Sequence, residues 1–327
     1  MKAGEYITER YLAKFEDIWD KSLLVFDTSS MLRIYEWQLN KAIEFKGVDV
    51  LKFKVDNIWL RRGGCILSIS KYQIESDQEL HLRMAYYECW NRLTLAIEQL
   101  DRQDLEHLSN PFLVTALPAY RKANKKVLFV GQETNGWDSF KTTLDTFRSH
   151  DEVVRRKNSI DFLQWMYEDL RYHRRFDHTA FWKGMRRLYQ AFSPGEGDEG
   201  FLHTELVRFD YANKRPPHEI EDLLQREYNI LPMEISALSP DIVIFLTGPD
   251  YDDRLRETYQ SVGGLGRPLS FESVKDFSAN ALSRVVHPKL PYHTYRTYHP
   301  NYPLHYNEKS VFKPIEDALQ KLICISN

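Results

Sequence analysis

Thiols are scarce in this chain. Its three cysteines, Cys65, Cys89 and Cys324, fit the spacing of neither a zinc site nor an iron–sulfur cluster. So sparse and odd a count suits reduced thiols and predicts a cytoplasmic protein. Charge of one sign is also missing: the net charge of −3 provides no global basic field. A nucleic-acid partner would therefore need a local basic face. No apolar run is long enough to span a bilayer, and the opening Met-Lys-Ala-Gly-Glu-Tyr has no apolar signal region, which argues against a membrane role. Internal repeats are absent. Gly263-Gly264-Leu265-Gly266 lacks the strand-loop-helix setting of a dinucleotide fingerprint. Ser193-Pro194-Gly195-Glu196-Gly197-Asp198-Glu199-Gly200 reads as a surface loop, not a phosphate cradle.

What the chain does have is size and aromatic mass. With 327 residues, 43% of them hydrophobic, it can bury a large core as one big domain or two smaller ones. Its aromatic content of 13% includes 19 Tyr and 7 Trp, a surplus that suits either a core or a protein that stacks bases. Residues 1–115 read as a mainly helical N-terminal region. Helical patterning covers 4–20 and 31–47, around a short strand at Leu23–Phe26, with a second strand candidate at Cys65–Ile69. Ser76-Asp77-Gln78-Glu79 is a capping-box pattern. It opens a helix in which Leu80, Met84, Tyr87, Trp90, Leu93 and Ile97 recur at helical spacing, reaching about Leu108 before Asn110-Pro111. Leu24-Val25-Phe26-Asp27-Thr28-Ser29-Ser30 resembles the opening of PIN-type nucleases, which gives a metal-dependent nuclease as an alternative class. The further acidic residues of such a site have no counterpart here, and Asp27 is read as a loop residue.

Residues 120–327 alternate strands and helices. The strands are expected at Val127–Val130, Leu206–Phe209, Ile242–Leu246 and Tyr295–Tyr298. The first and third are nearly continuous apolar runs, as in strands covered on both faces. This pattern predicts an α/β fold: a three-layer α/β/α sandwich with a four-stranded parallel sheet, plus the helical extension. Loops at the carboxyl ends of parallel strands converge on one crevice. Glu133 and His299, remote in sequence, each follow a strand and are expected to meet there.

Gly131-Gln132-Glu133-Thr134-Asn135-Gly136-Trp137 and His299-Pro300-Asn301 carry a resemblance to the uracil-DNA glycosylase superfamily. Its members have a strand ending in Gly-Gln-Asp-Pro-Tyr or a variant, and a late strand ending in His-Pro-Ser. The likeness covers about the last two hundred residues, in the same order. It implies that Glu133 positions the attacking water and that His299 hydrogen-bonds the pyrimidine O2 and stabilises the departing base. Read without the family, Glu133 has the alternative of a carboxylate at a helix N-terminus, with its place at a strand end favouring the functional reading, and His287-Pro288 is a second His-Pro pair. The family wedge is replaced by Asn301-Tyr302-Pro303-Leu304, in which Tyr302 or Leu304 fills the gap left by a flipped nucleotide or packs the loop.

The departures are informative. The tyrosine that guards C5 of the pyrimidine in strict uracil enzymes falls on Asn135, with Gly136 next, leaving room beside C5. Trp137 and Phe140 are then candidates to stack on the base. Trp137 also matches a tryptophan of the single-strand-selective branch, whose motif reads Gly-Met-Asn-Pro-Gly-Pro-Trp. Glu205 falls where the base-reading asparagine is expected. An ionised carboxylate only accepts, so it would repel O4 of uracil and take N4–H2 of cytosine; it is otherwise an ordinary polar strand end. Gln132 and Asn301 complete the base-binding set. Arg171, Arg174, Arg175, Lys183, Arg186 and Arg187, interleaved with aromatics, read as a phosphate-contacting face or as the solvated side of a helix. Phe181-Trp182 and Leu188-Tyr189 are assigned to the core.

The resemblance thus implies a monofunctional DNA glycosylase that needs no cofactor or metal, because water is the nucleophile. DNA is its partner, and the target is a flipped pyrimidine such as a 5-substituted cytosine. Some superfamily members act on modified phage bases as an antiviral defence. The alternatives are a uracil-excising repair enzyme and a non-catalytic member that binds nucleic acid or nucleotide.

Overall fold

In the computed structural model the described residues are 53–61, 64–71, 77–148, 151–173, 176–196, 199–260, 268–302 and 312–324. Two compact units divide the chain, Met1–Glu75 and Ser76–Asn327. In the first, β1 (Phe53–Arg61) and β2 (Gly64–Lys71) form an antiparallel hairpin. The Cys65–Ile69 strand candidate lies in β2. The helices expected at 4–20 and 31–47, and Asp27, lie outside the described residues.

The second unit runs α1 (Asp77–Ile97), α2 (Arg102–His107), α3 (Pro118–Lys122), β3 (Val127–Glu133), α4 (Phe140–Thr146), α5 (Glu152–His173), α6 (Ala180–Phe192) and β4 (Phe201–Val207). It continues with α7 (His218–Glu227), α8 (Leu231–Leu238), β5 (Ile242–Phe245), a 3₁₀ turn at Pro249–Tyr251 and α9 (Asp252–Gln260). The chain then forms β6 (Ser270–Ser273), β7 (Leu282–Val286), β8 (His293–Thr297) and α10 (Phe312–Cys324). The unit starts at Ser76, so the long helix that the sequence pattern groups with residues 1–115 packs inside the α/β unit. Its buried face is Leu82, Tyr86, Cys89, Trp90, Leu93 and Ile97, whereas Leu80 and Met84 are 46% and 58% exposed. The expected stripe thus holds at Trp90, Leu93 and Ile97 and is rotated only in the first turns.

The sheet has the order β4-β3-β5-β8-β7-β6. Its first four strands are parallel, and they are the four strands expected. The second of them starts earlier, at Phe201 rather than Leu206. The sheet is not purely parallel: β7 and β6 extend it beyond β8 as antiparallel strands. These two escape a pattern search because β6, Ser-Phe-Glu-Ser, is an exposed polar edge strand, of the kind that resists unwanted pairing. Helices cover both faces. On one, Trp182 and Tyr189 of α6 pack on Phe201. On the other, Glu234 of α8 reaches Thr204 of β4.

Below that second face lies a buried ionic knot. Arg208 donates to Glu234 at 2.6 Å, while Thr204 and the Tyr86 hydroxyl, at 3.0 and 2.8 Å, fill the remaining acceptor positions of the carboxylate. Both charged side chains are almost wholly out of solvent. Removing one member leaves the other charge buried and uncompensated. Glu234→Gln is therefore expected to destabilise the unit by roughly 3–5 kcal/mol, read by urea denaturation.

Candidate functional site

The register fixes where the strand-end residues fall. Val130, Phe245 and Arg296 are paired neighbours across β3, β5 and β8. Glu133 and His299 each come three residues later, at the same edge of the sheet. Strand alternation puts Glu133 on the face of Val127, Phe129 and Phe201; His299 lies two residues past the end of β8 and reaches that face by its stack on Phe181 of α6, the helix packed on Phe201. The other His-Pro pair is elsewhere. β7 runs antiparallel, so His287 follows its end at the opposite edge, buried against Tyr259.

Glu205 lies inside β4, level with Gly131 of β3 and on the same face as Glu133. It is 6% exposed, and its Oε2 has no hydrogen-bond partner among the described residues. Burial, and then the charge of Glu133, push its pKa well above the usual carboxylate range, with Arg208 pulling back. The sequence reading took Glu205 as an ionised acceptor. Its surroundings instead favour the neutral acid, which both donates and accepts. The carboxyl rests on the bare Cα of Gly131: a Cβ there would collide with it, with the Glu205 Cδ only 2.8 Å away. Gly131→Ala is expected to expel this flexible side chain with a stability loss of about 1–3 kcal/mol, and to abolish whatever Glu205 does. An activity assay beside a melting curve would separate the two effects.

Glu133 is half-buried and accepts a short hydrogen bond from the Tyr251 hydroxyl. Burial raises its pKa, while the Tyr251 bond and the Arg215 guanidinium oppose the rise. Arg215 in turn lies 4.3 Å over the Tyr251 ring. The loop after Glu133 is organised by Asp210, which is 2% exposed. Its carboxylate accepts from the Thr134 hydroxyl at 3.0 Å, the Gly136 amide at 2.9 Å and the Asn213 amide at 2.8 Å. Gly136 has φ +75, and a Cβ on it would meet Asn213 Oδ1 at 2.9 Å. Pattern reasoning missed Asp210, Tyr251 and Arg215. Asp210 and Tyr251 follow strand ends, which was the available signal.

His299 stacks face to face on Phe181 of α6, with centroids 4.9 Å apart and planes within 7°. The Asn301 amide donates to His299 Nδ1 at 3.1 Å. With Nδ1 accepting, the ring proton is on Nε2. Asn301 thus contributes its backbone, and Phe181, assigned to the core from sequence, packs against that core and also carries the His299 ring. Behind them His203 is enclosed by Phe112, Tyr167 and Trp182 and held neutral by burial. Tyr302 is 39% exposed and stacked on Tyr298 at 4.6 Å.

A bidentate clamp ties β8 to the start of α9. Arg296, three residues before His299, donates to both oxygens of Asp252 at 2.9 and 2.8 Å, and Asp252 directly follows Tyr251. Gln132 points to the opposite face from Glu133 and donates to the Thr247 carbonyl at 2.8 Å, fixing the ends of β3 and β5 to each other.

Other expected site residues fall differently. Phe140 is fully buried between Trp90 and Phe209, so it is a core residue and cannot stack on a base. Trp137 is half-buried, with one ring face on Phe112 at 4.9 Å. Asn135 is exposed. Arg171 is not a phosphate contact: it is 9% exposed, with its guanidinium 4.3 Å over Phe201. Arg186 pairs with Asp177, and Arg187 with Glu316 at 2.8 Å. Lys183 is exposed. Arg174, Arg175 and Leu304 lie outside the described residues. No described helix is long and apolar enough to cross a membrane. No protein-family model matches the chain, and no curated protein matches it.

Proposed function

We propose that the chain is a monofunctional DNA glycosylase of the uracil-DNA glycosylase type, acting on a flipped 5-substituted cytosine. What supports this reading is that Glu133 at the end of β3 and His299 just past β8 lie at one sheet edge, on the face that carries α6, with His299 Nδ1 accepting from the Asn301 amide. Glu133 takes a proton from water as the water attacks C1′. Its charge also stabilises the positive sugar that forms as the bond to the base breaks. His299 donates to the pyrimidine O2, where negative charge grows. Glu205 addresses the Watson–Crick edge of the base. Asn135 and Gly136 leave space on the C5 side, which suits modified phage DNA as the target and antiviral defence as the role.

A second reading, uracil excision in repair, is favoured by one observation. A neutral Glu205 offers a donor and an acceptor, which also suit O4 and N3–H of uracil. The deciding experiment incubates the protein with DNAs carrying uracil, cytosine or 5-substituted cytosines, and assays free bases and abasic sites. Release confined to 5-substituted cytosine is expected. Robust uracil release with no action on any modified cytosine would return the protein to the repair class, and no release from any DNA would end the glycosylase reading.

A further inference from the structure

We infer that Glu133 and Glu205 hold one proton between them, and that Glu205 passes it to N3 of a cytosine-type base as the glycosidic bond breaks. The inference rests on the glycosylase reading above. Its geometric basis is the pairing of Gly131 with Glu205 and of Glu133 with Val207, which sets the two carboxyl groups on one face of neighbouring strands. Glu205 Oε2 is buried and unpartnered among the described residues, so one carboxyl oxygen still lacks a partner. Both acids resist ionisation through burial, and the charge on Glu133 adds to the cost at Glu205. Two neighbouring carboxyls, one buried and one half-buried, do not both ionise readily, so one is driven to act as acid and the other as base.

The groups facing the pair agree with that division. Glu133 has the Tyr251 hydroxyl and Arg215 beside it, which favour its anion, against Glu221 and Asp210, which do not. Glu205 has Arg208 as its cation, with Tyr167 of α5 also near, while the dominant influences are burial and Glu133. The proton therefore rests on Glu205.

The chemistry balances. Cytosine offers N3 as an acceptor and N4–H2 as a donor, the complement of a neutral carboxyl group. As C1′–N1 breaks, its electron pair moves onto the ring and the Glu205 proton moves to N3. The base leaves as a neutral N3–H tautomer rather than as an anion. Water forms the new bond to C1′ and gives its proton to Glu133. The pair carries one negative charge before and after, and proton return from Glu133 to Glu205 resets it. Uracil already bears hydrogen on N3 and cannot take the proton there, so the acid selects cytosine-type bases by reactivity as well as by fit.

The test uses the full chain and two single-stranded oligonucleotides, one with a single 5-hydroxymethylcytosine and one with a single uracil. For the first, the wild-type rate should rise with pH as Glu133 ionises and fall again as Glu205 does. Glu205→Gln keeps a donor and an acceptor but has no transferable proton. It should lose about 10²–10⁴-fold in rate, lack the alkaline fall, and still bind an uncleavable 2′-fluoro version of the oligonucleotide with wild-type affinity. A second readout needs no activity. A raised carboxyl pKa stabilises the fold fully below the ordinary carboxylate range, and that contribution is lost as pH rises through the folded value. The melting temperature of the wild type should therefore fall relative to Glu205→Gln as pH rises above the ordinary value of 4.5. A wild-type rate in Glu205→Gln, or a melting difference flat with pH, would overturn the inference. Absence of base release by the wild type from both oligonucleotides would remove the glycosylase reading and the transfer built on it, while the melting series would still decide where the proton resides.

Discussion

Replacing Glu133 by glutamine is expected to slow base release by about 10²–10⁴-fold, the usual contribution of a positioned general base, while leaving DNA affinity close to that of the wild type. The amide preserves the shape of the side chain and can still accept from Tyr251, but it has no charge and takes no proton from water. The loss should therefore appear in the single-turnover rate and not in a binding isotherm. The same carboxyl sets an acid limit. Burial raises its pKa above 4.5, and only the anion can act as base. Activity should climb with pH through that raised value, and the climb should vanish in the glutamine variant. Tyr251→Phe removes a hydrogen bond that favours the anion, so it should move the climb to higher pH. Equal rates in wild type and Glu133→Gln would place the chemistry elsewhere in the molecule.

Replacing His299 by alanine should cost about a hundred- to a thousandfold in rate, as when one oxyanion donor is removed. The Asn301 amide occupies Nδ1, so the donor is Nε2–H of a neutral ring. The effect should therefore be on the chemical step, with the affinity for DNA little changed. Phe181→Ala should produce a smaller loss of the same kind, because it frees the ring to tilt without deleting it. A base that is inherently a better leaving group should show a smaller deficit in His299→Ala than a poorer one. A deficit independent of the leaving base would argue that His299 serves the loop and not the reaction.

The legible parts of this molecule were those where one physical demand dominated. Val127–Val130 and Ile242–Phe245 are buried on both faces and read as strands at once. The sheet edge bearing Glu133 and His299 followed from strand order and the usual convergence of such loops. β4 was harder, because His203, Thr204 and Glu205 are polar yet buried, so its start was placed at Leu206 rather than Phe201. The same burial that hid the strand is what perturbs Glu205. α1 was misphased by Leu80 and Met84, apolar residues that lie exposed on its outer side. The basic stretch misled for another reason: arginines written beside aromatics can stack inward, as Arg171 does, or meet acids distant in sequence, as Arg187 meets Glu316. Tyr251 and Asp210 follow strand ends, but their partners Glu133, Thr134 and Gly136 are brought beside them only by the fold.

The clamp between Arg296 and Asp252 fastens the segment bearing Tyr251 to the strand that leads to His299, so the two move as one piece. On the glycosylase reading, the spacing between Tyr251 and His299 would be set before a nucleotide arrives, and bases would be sorted by breadth as a gauge sorts parts.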